Sequence, residues 1–319
     1  MRMPTRRFTA LGAVLGLALV LALPTSPAHA IVLDPAIPAA IAAQYEGGAL
    51  RITRDLSANA AYSRHAIAYS SNGLTISGLM VKPRGEGPYP VVVLAHGHIE
   101  PSAYVTGQGF RREQDWLGRH GYVALHVDYR NHAGSSRDPD SDLSMRIGYA
   151  ADVINAGQAV RKSTLPYLDR SRVALLGRSM GGGVTFQALV IRPGVFDAAI
   201  TYASTSSDIV DNFNKWGAED PVNNRRIITK YGTPRQNPAR WAAMSSRNYF
   251  SRITEPVLMI HGTTDESCDI SWARETKDAL VKAGKNVRLV EYKGAGHYMY
   301  GPWSDSIRQV SAFLKRELA

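Results

Sequence analysis

The chain has 319 residues, is 45% hydrophobic and 20% charged, and carries a net charge of +10 and one cysteine, Cys268. Its length allows one large core or two small ones, while a single cysteine excludes a disulfide framework and a cysteine-based metal site. The positive charge is dispersed, without a basic run interleaved with aromatics, so nucleic acid is not an expected partner.

The first 30 residues read as an export signal. Arg2, Arg6 and Arg7 stand in an acid-free start, Phe8 to Leu23 is apolar, Pro24 breaks the run, and Ala28-His29-Ala30 has the small-x-small form of a cleavage site. The apolar run is shorter than the ~20 residues a membrane span needs. Residues 1–30 are therefore expected to be removed, leaving a net charge of about +7 and no stable membrane insertion. The mature protein is expected to be secreted, in the periplasm or outside the cell. Thr5-Arg6-Arg7 faintly resembles a twin-arginine signal, although Thr9 and Ala10 depart from the apolar pair that follows in such signals. Residues 31–63 are expected to form an N-terminal extension.

From Arg64 the chain reads as ordered elements. Arg64–Tyr69 and Leu74–Val81 are strand-like and joined by Ser70-Ser71-Asn72-Gly73, a strong hairpin signal. Pro90–His96 is a nearly unbroken apolar strand, as expected of one covered on both faces. Further strands are predicted at Tyr122–Asp128, Arg172–Leu176, Ala198–Ala203, Pro256–His261 and Val287–Tyr292. Helices are predicted at Gly109–His120, Leu143–Ser163, after Ser179, at Ile270–Ala283 and at Ser304–Leu318. The alternation predicts an α/β architecture: a mostly parallel sheet of about eight strands with helices on both faces, opened by an antiparallel hairpin. Residues 205–252 break the rhythm. They hold no clear strand, and Phe213, Trp216, Tyr231 and Trp241 alternate with Arg225, Arg226, Lys230, Arg235, Arg240 and Arg247. Two readings stand: a cap over a pocket mouth, or a helical excursion packing its own small core.

Chemistry concentrates around Gly177-Arg178-Ser179-Met180-Gly181. Between a buried strand and a helix, flanking glycines permit a sharp turn that exposes the serine hydroxyl, and the helix start offers free N–H groups to an anion. A serine needs a base, and the base works best when a carboxylate orients it. Gly294-Ala295-Gly296-His297 follows the last strand, so His297 is the candidate base. Asp265, in the loop after the Pro256 strand, is the candidate acid; Glu266 is expected to face solvent and Asp269 to cap the next helix. The N–H groups of Met180 and of His98, in His96-Gly97-His98, are candidates for an oxyanion hole. His96 and His98 as metal ligands would need further ligands that the sequence does not cluster, so neither a metal nor another cofactor is expected. Trp216, Trp241 and Tyr298 are expected to contact substrate, and Arg130 either braces the oxyanion loop or pairs with Asp128. Cys268 reads as a buried apolar filler.

These pieces, with Asp128-Tyr129-Arg130, Gly134 and Ser136, resemble the α/β-hydrolase superfamily. They are most similar to prolyl oligopeptidase (S9) catalytic domains and to dienelactone-hydrolase-like and acetyl xylan esterase-like enzymes. The resemblance covers 64–319, and the order Ser179, Asp265, His297 is that of the superfamily. It implies Ser179 as nucleophile, Asp265 as triad acid and His297 as base. Two departures stand out. The family often reads Asp-x-x-Val-Pro after the acid, where this chain has Asp265-Glu266-Ser267-Cys268-Asp269. About fifty residues precede the domain, so the propeller that gates the large oligopeptidases is not expected here. The expected activity is hydrolysis of a small-molecule carboxylic ester through an acyl-enzyme, with an S9-like peptidase acting on short peptides as the alternative. An acyltransferase and a non-catalytic binding protein rank behind these. The basic residues of 205–252 hint at a carboxylate-bearing substrate.

Overall fold

The computed structural model describes residues 33–319; the expected export signal lies outside them. The strands are β1 (Arg51–Ala58), β2 (Tyr62–Ser71), β3 (Leu74–Pro83), β4 (Tyr89–Ala95), β5 (Val123–Val127), β6 (Leu168–Arg178), β7 (Ala198–Tyr202), β8 (Val257–Gly262) and β9 (Val287–Tyr292). They form one sheet in the order β1-β2-β3-β5-β4-β6-β7-β8-β9. The first three are joined antiparallel, β3 meets β5 antiparallel, and every ladder from β5 to β9 is parallel. Asn72 and Gly73, both at positive φ, close the β2–β3 hairpin where the sequence places it.

The helices are α1 (Ile37–Ala42), α2 (Arg111–Arg119), α3 (Ile147–Arg161), α4 (Met180–Ile191), α5 (Ile209–Trp216), α6 (Pro221–Tyr231), α7 (Pro238–Met244), α8 (Ile270–Lys282) and α9 (Trp303–Glu317). Side chains alternate across a strand, and the central strands are apolar on both sides. Val91, Val93, Leu125 and Leu175 pack under α1, α3, α4 and α8. Val92, Leu94, Ala174, Leu176 and Ile200 pack under α2 and α9. Because the central strands run parallel, their C-terminal ends share one edge, where the functional loops gather.

Two expectations are revised. The sheet begins at Arg51 and has nine strands, because β1 adds an edge strand within the expected N-terminal extension. All eight β1 residues are exposed, so the strand carries no buried-face alternation to read. The predicted helix over Leu143–Ser163 is broken. A 3₁₀ turn at Ser141–Ser144 ends at Met145 and Arg146, both left-handed (φ 48° and 70°), and α3 starts only at Ile147. Residues 205–252 are helical, as expected, and enclose a small core of Ile209, Ile227, Tyr231, Trp241 and Met244.

Candidate active site

Ser179 occupies the single residue between β6 and α4, at φ 55° and ψ −122°. A side chain there is strained by about 1–3 kcal/mol. The turn closes because its neighbours lack side chains. A Cβ on Gly177 would stand 2.1 Å from the Gly181 carbonyl oxygen, and one on Gly181 would stand 1.8 Å from that of Ala95. The Ser179 N–H donates to the Tyr202 carbonyl (2.9 Å), and its own carbonyl accepts from Gly182 and Thr205. Arg178 pins the strand end from beneath. Its guanidinium lies between the Phe110 and Tyr202 rings and donates to Glu113 (2.5 Å), which also accepts from Trp303 Nε1 (2.9 Å). Sequence reasoning missed this support; an arginine between two glycines of an otherwise apolar turn was the available signal.

Asp265 and His297 meet at the same sheet edge, on the loops after β8 and β9. His297 Nδ1 lies 3.0 and 2.9 Å from the two Asp265 carboxylate oxygens. Asp265 also accepts from the N–H groups of Ser267 (2.9 Å) and Cys268 (2.8 Å), and His261 Nε2 stands 3.2 Å away. His261 is a second histidine on the same carboxylate, absent from the sequence reading because it lies inside the β8 strand. Burial alone would raise the Asp265 pKa, but the hydrogen bonds from His261, His297 and Cys268 outweigh it and hold the carboxyl well below the usual range. Glu266 is exposed, as expected, and one of its oxygens also accepts from the His297 N–H at 3.4 Å. Asp269 caps α8 through the Ser271 N–H, as expected.

The depressed Asp265 pKa fixes a sign. A carboxylate that is more acidic folded than unfolded stabilises the fold above its unfolded value of about 3.9, and that contribution fades as pH falls through the folded value. Asp265→Asn is therefore expected to flatten the acid limb of stability below about pH 4, read as the urea midpoint against pH. An unchanged acid limb would show that the ionised carboxylate is not stabilised by these neighbours.

The loop after β4 lies over Ser179, since a Cβ on Gly97 would stand 3.2 Å from the Ser179 Cβ. Asp128 anchors that loop by accepting from Tyr104 Oη (2.7 Å), Thr106 Oγ1 (2.9 Å) and the Gly107 N–H (3.3 Å), and it also accepts from Ser77. His96 is buried against the Tyr104 and Tyr129 rings, and burial pushes its pKa down to about 3. The His98 side chain is exposed beside Glu100, which leaves its backbone at the site. The two histidines thus do not converge, and no group of three or more metal-binding side chains occurs among the described residues. Asp128 being occupied, Arg130 pairs instead with Asp152 (2.9 Å) and Asp138 (2.8 Å).

Cys268 ties the two halves together. Its N–H holds Asp265, while its buried thiol is near enough to Ser179 for the serine to act on its pKa. Burial, with the Asp265 charge adding to it, pushes the thiol up to about 12. No hydrogen bond joins Ser179 and His297 in this conformation; catalytic hydrogen bonds commonly tighten only with substrate in place. Of the expected substrate contacts, Trp216 lies at the end of α5, 5.7 Å from Trp272. Tyr298 is exposed beside His297, their rings 5.4 Å apart. Trp241 is corrected: it is wholly buried in the helical insertion, with Nε1 donating to the Gly232 carbonyl, and has no face left for a substrate.

Fold and residues together define a serine hydrolase of the α/β type. The chain belongs to the prolyl oligopeptidase family, whose model matches residues 108–319. It is 26% identical over 246 residues to the "Uncharacterized peptidase YuxL" of Bacillus subtilis (strain 168), covering 72% of this chain and 34% of that protein, so it spans about a third of that relative. It is 23% identical to the "Uncharacterized peptidase YtmA" of the same organism, over 79% of this chain and 93% of the relative. Among solved structures, the acetyl xylan esterase from Paenibacillus sp. R4 superposes with a TM-score of 0.67 at 20% identity, over 88% of this chain and 92% of that one. Porphyromonas gingivalis dipeptidyl peptidase 4 gives 0.65 at 22% identity, over 81% and 36%. No described helix is long and apolar enough to cross a membrane.

Proposed function

We propose that the protein is an exported hydrolase of small carboxylic esters, with Ser179 as nucleophile, His297 as base and Asp265 as the acid that orients it. The observation that carries the reading is the Asp265 carboxylate on His297 Nδ1, which leaves Nε2 for Ser179. Ser179 Oγ attacks the acyl carbonyl and His297 takes its proton. The N–H groups of Met180 and His98 hold the oxyanion. Collapse releases the alcohol, which regains a proton from His297, and water then frees the acid by the same path. One further observation supports an ester: the superposition on an acetyl xylan esterase extends over nearly all of both chains. The match to YtmA over 93% of its length favours a short-peptide hydrolase as the second reading.

The test sets the protein and its Ser179→Ala variant on p-nitrophenyl butyrate and on aminoacyl and proline-containing anilides. Ester turnover that exceeds anilide turnover by orders of magnitude and vanishes in the variant is the expected result. Comparable anilide turnover would move the activity to peptides. Turnover that survives Ser179→Ala would remove the triad assignment.

A further inference from the structure

Three of the five arginines that the sequence offers in 205–252 as anion readers are spent on carboxylates, and Arg225 and Arg235 are exposed. Arg240 pairs with Asp34, Arg247 with Asp208, Asp211 and Glu275, and Arg226 lies 3.4 Å from Asp140. Arg146 differs. The left-handed pair Met145–Arg146 turns the chain just before α3, and Arg146 lines a cavity with Met180, Val184, Gln187, Ser206 and Asn212. Among the described residues its guanidinium has no carboxylate within 4 Å and makes no hydrogen bond. Its one close partner is the Trp216 ring, at 5.9 Å. Asp142, the carboxylate that acts on it most, does so from beyond ion-pair distance. A half-buried guanidinium without a counter-charge is costly unless an anion completes it.

A second cation approaches from the insertion. Lys215 on α5 lies over the Trp272 ring at 5.4 Å and donates to the Glu266 carbonyl at 3.3 Å, with no carboxylate partner among the described residues. Both charges act on the Cys268 thiol in the loop that carries Asp265, and Arg146 shares its cavity with Met180, the residue after Ser179. Met180, which follows Ser179, lines the cavity, and no residue of the loop carrying His297 and Tyr298 does, which sets the cavity apart from the base that must reach the leaving group.

We propose that Arg146, assisted by Lys215, is a carboxylate-recognition site that selects substrates with a second carboxylate on the acyl half, namely half-esters of short dicarboxylic acids. The proposal rests on the ester reading above and sharpens it. The free carboxylate meets the guanidinium in the cavity, the ester carbonyl lies at Ser179, and the alcohol leaves past His297 and Tyr298.

Monoethyl succinate and ethyl butyrate, close in size and differing in charge, provide the test. The wild-type protein is expected to give a kcat/KM at least tenfold higher for the half-ester. Arg146→Gln should lose tenfold or more on the half-ester and less than threefold on ethyl butyrate, with an unchanged melting temperature as the folding control. Lys215→Gln, at an exposed position, should lose a smaller part of the same preference, and added salt should weaken it. Calorimetry on Ser179→Ala supplies a readout independent of turnover: it should bind monoethyl succinate, and Ser179→Ala/Arg146→Gln should not. Equal turnover of the two esters, unmoved by Arg146→Gln, would overturn the anion site and leave the ester reading intact. Binding to Ser179→Ala that depends on Arg146, without turnover of either ester by the wild type, would support the anion site and overturn the ester reading.

Discussion

Ser179→Gly is expected to abolish hydrolysis and raise the melting temperature above that of Ser179→Ala. Both changes remove the nucleophile, and loss of a triad serine lowers kcat by roughly 10⁴–10⁶. They differ in the backbone. At φ 55° and ψ −122° a Cβ is strained whatever the side chain, so alanine keeps the cost and glycine sheds it. Glycine gives back about 0.5–1 kcal/mol through its freer unfolded chain, against about 1–3 kcal/mol of strain relieved. A gain of up to a few degrees for Ser179→Gly over Ser179→Ala is therefore expected by calorimetry. If the glycine variant melts below the alanine variant, the turn stores no strain, and its geometry is set by neighbours such as Arg178 alone.

Asp152→Ala is expected to cost about 3–5 kcal/mol, the scale for breaking a buried ion pair from one side. Asp152 lies on α3 with no exposed surface. Its two oxygens accept from Arg130 Nη2 (2.9 Å), Nε (3.1 Å) and backbone N–H (2.9 Å), and from Ser71 Oγ (2.7 Å). Burial disfavours the Arg130 charge, but the Asp152 and Asp138 carboxylates outweigh it and hold its pKa above the usual guanidinium value. Removing Asp152 leaves Arg130 with Asp138 alone and frees the end of β2 from α3. The loss corresponds to a fall in melting temperature of roughly 6–15 °C for a domain of this size. Replacing Arg130, Asp138 and Asp152 together by apolar residues should recover much of it, because desolvating three charges is itself unfavourable. A fall of under two degrees for the single change would show that water reaches the pair.

Most of the fold was legible because the central strands are apolar on both faces and the turns between them carry glycine. Gly177 and Gly181 announce Ser179 through a backbone approach that leaves no room for a Cβ, and the Gly294–Gly296 loop after the last strand marks His297. What was missed lacks such a signal. β1 is exposed throughout and has no face to alternate. The break at Met145–Arg146 uses two residues with no special tolerance for positive φ, so an apolar period running on both sides hides it. Trp241 was misplaced because an aromatic beside arginines reads alike in a binding wall and in a small core; only the packing of α5, α6 and α7 against one another decides. Arg130 lost its expected partner because Asp128 serves the loop before α2, a contact across 22 or more positions in sequence.

The buried sulfur against Ser179 makes the chain silent to thiol labels. With its pKa pushed up to about 12 and no exposed surface, Cys268 offers almost no thiolate to maleimides or iodoacetamide at neutral pH. A cysteine introduced on the insertion, for instance at Val222, which is 71% exposed, would then be the sole addressable thiol. A dye or spin probe placed there would report the opening and closing of the helices beside the nucleophile against an otherwise dark background, without first mutating a residue that touches the catalytic serine.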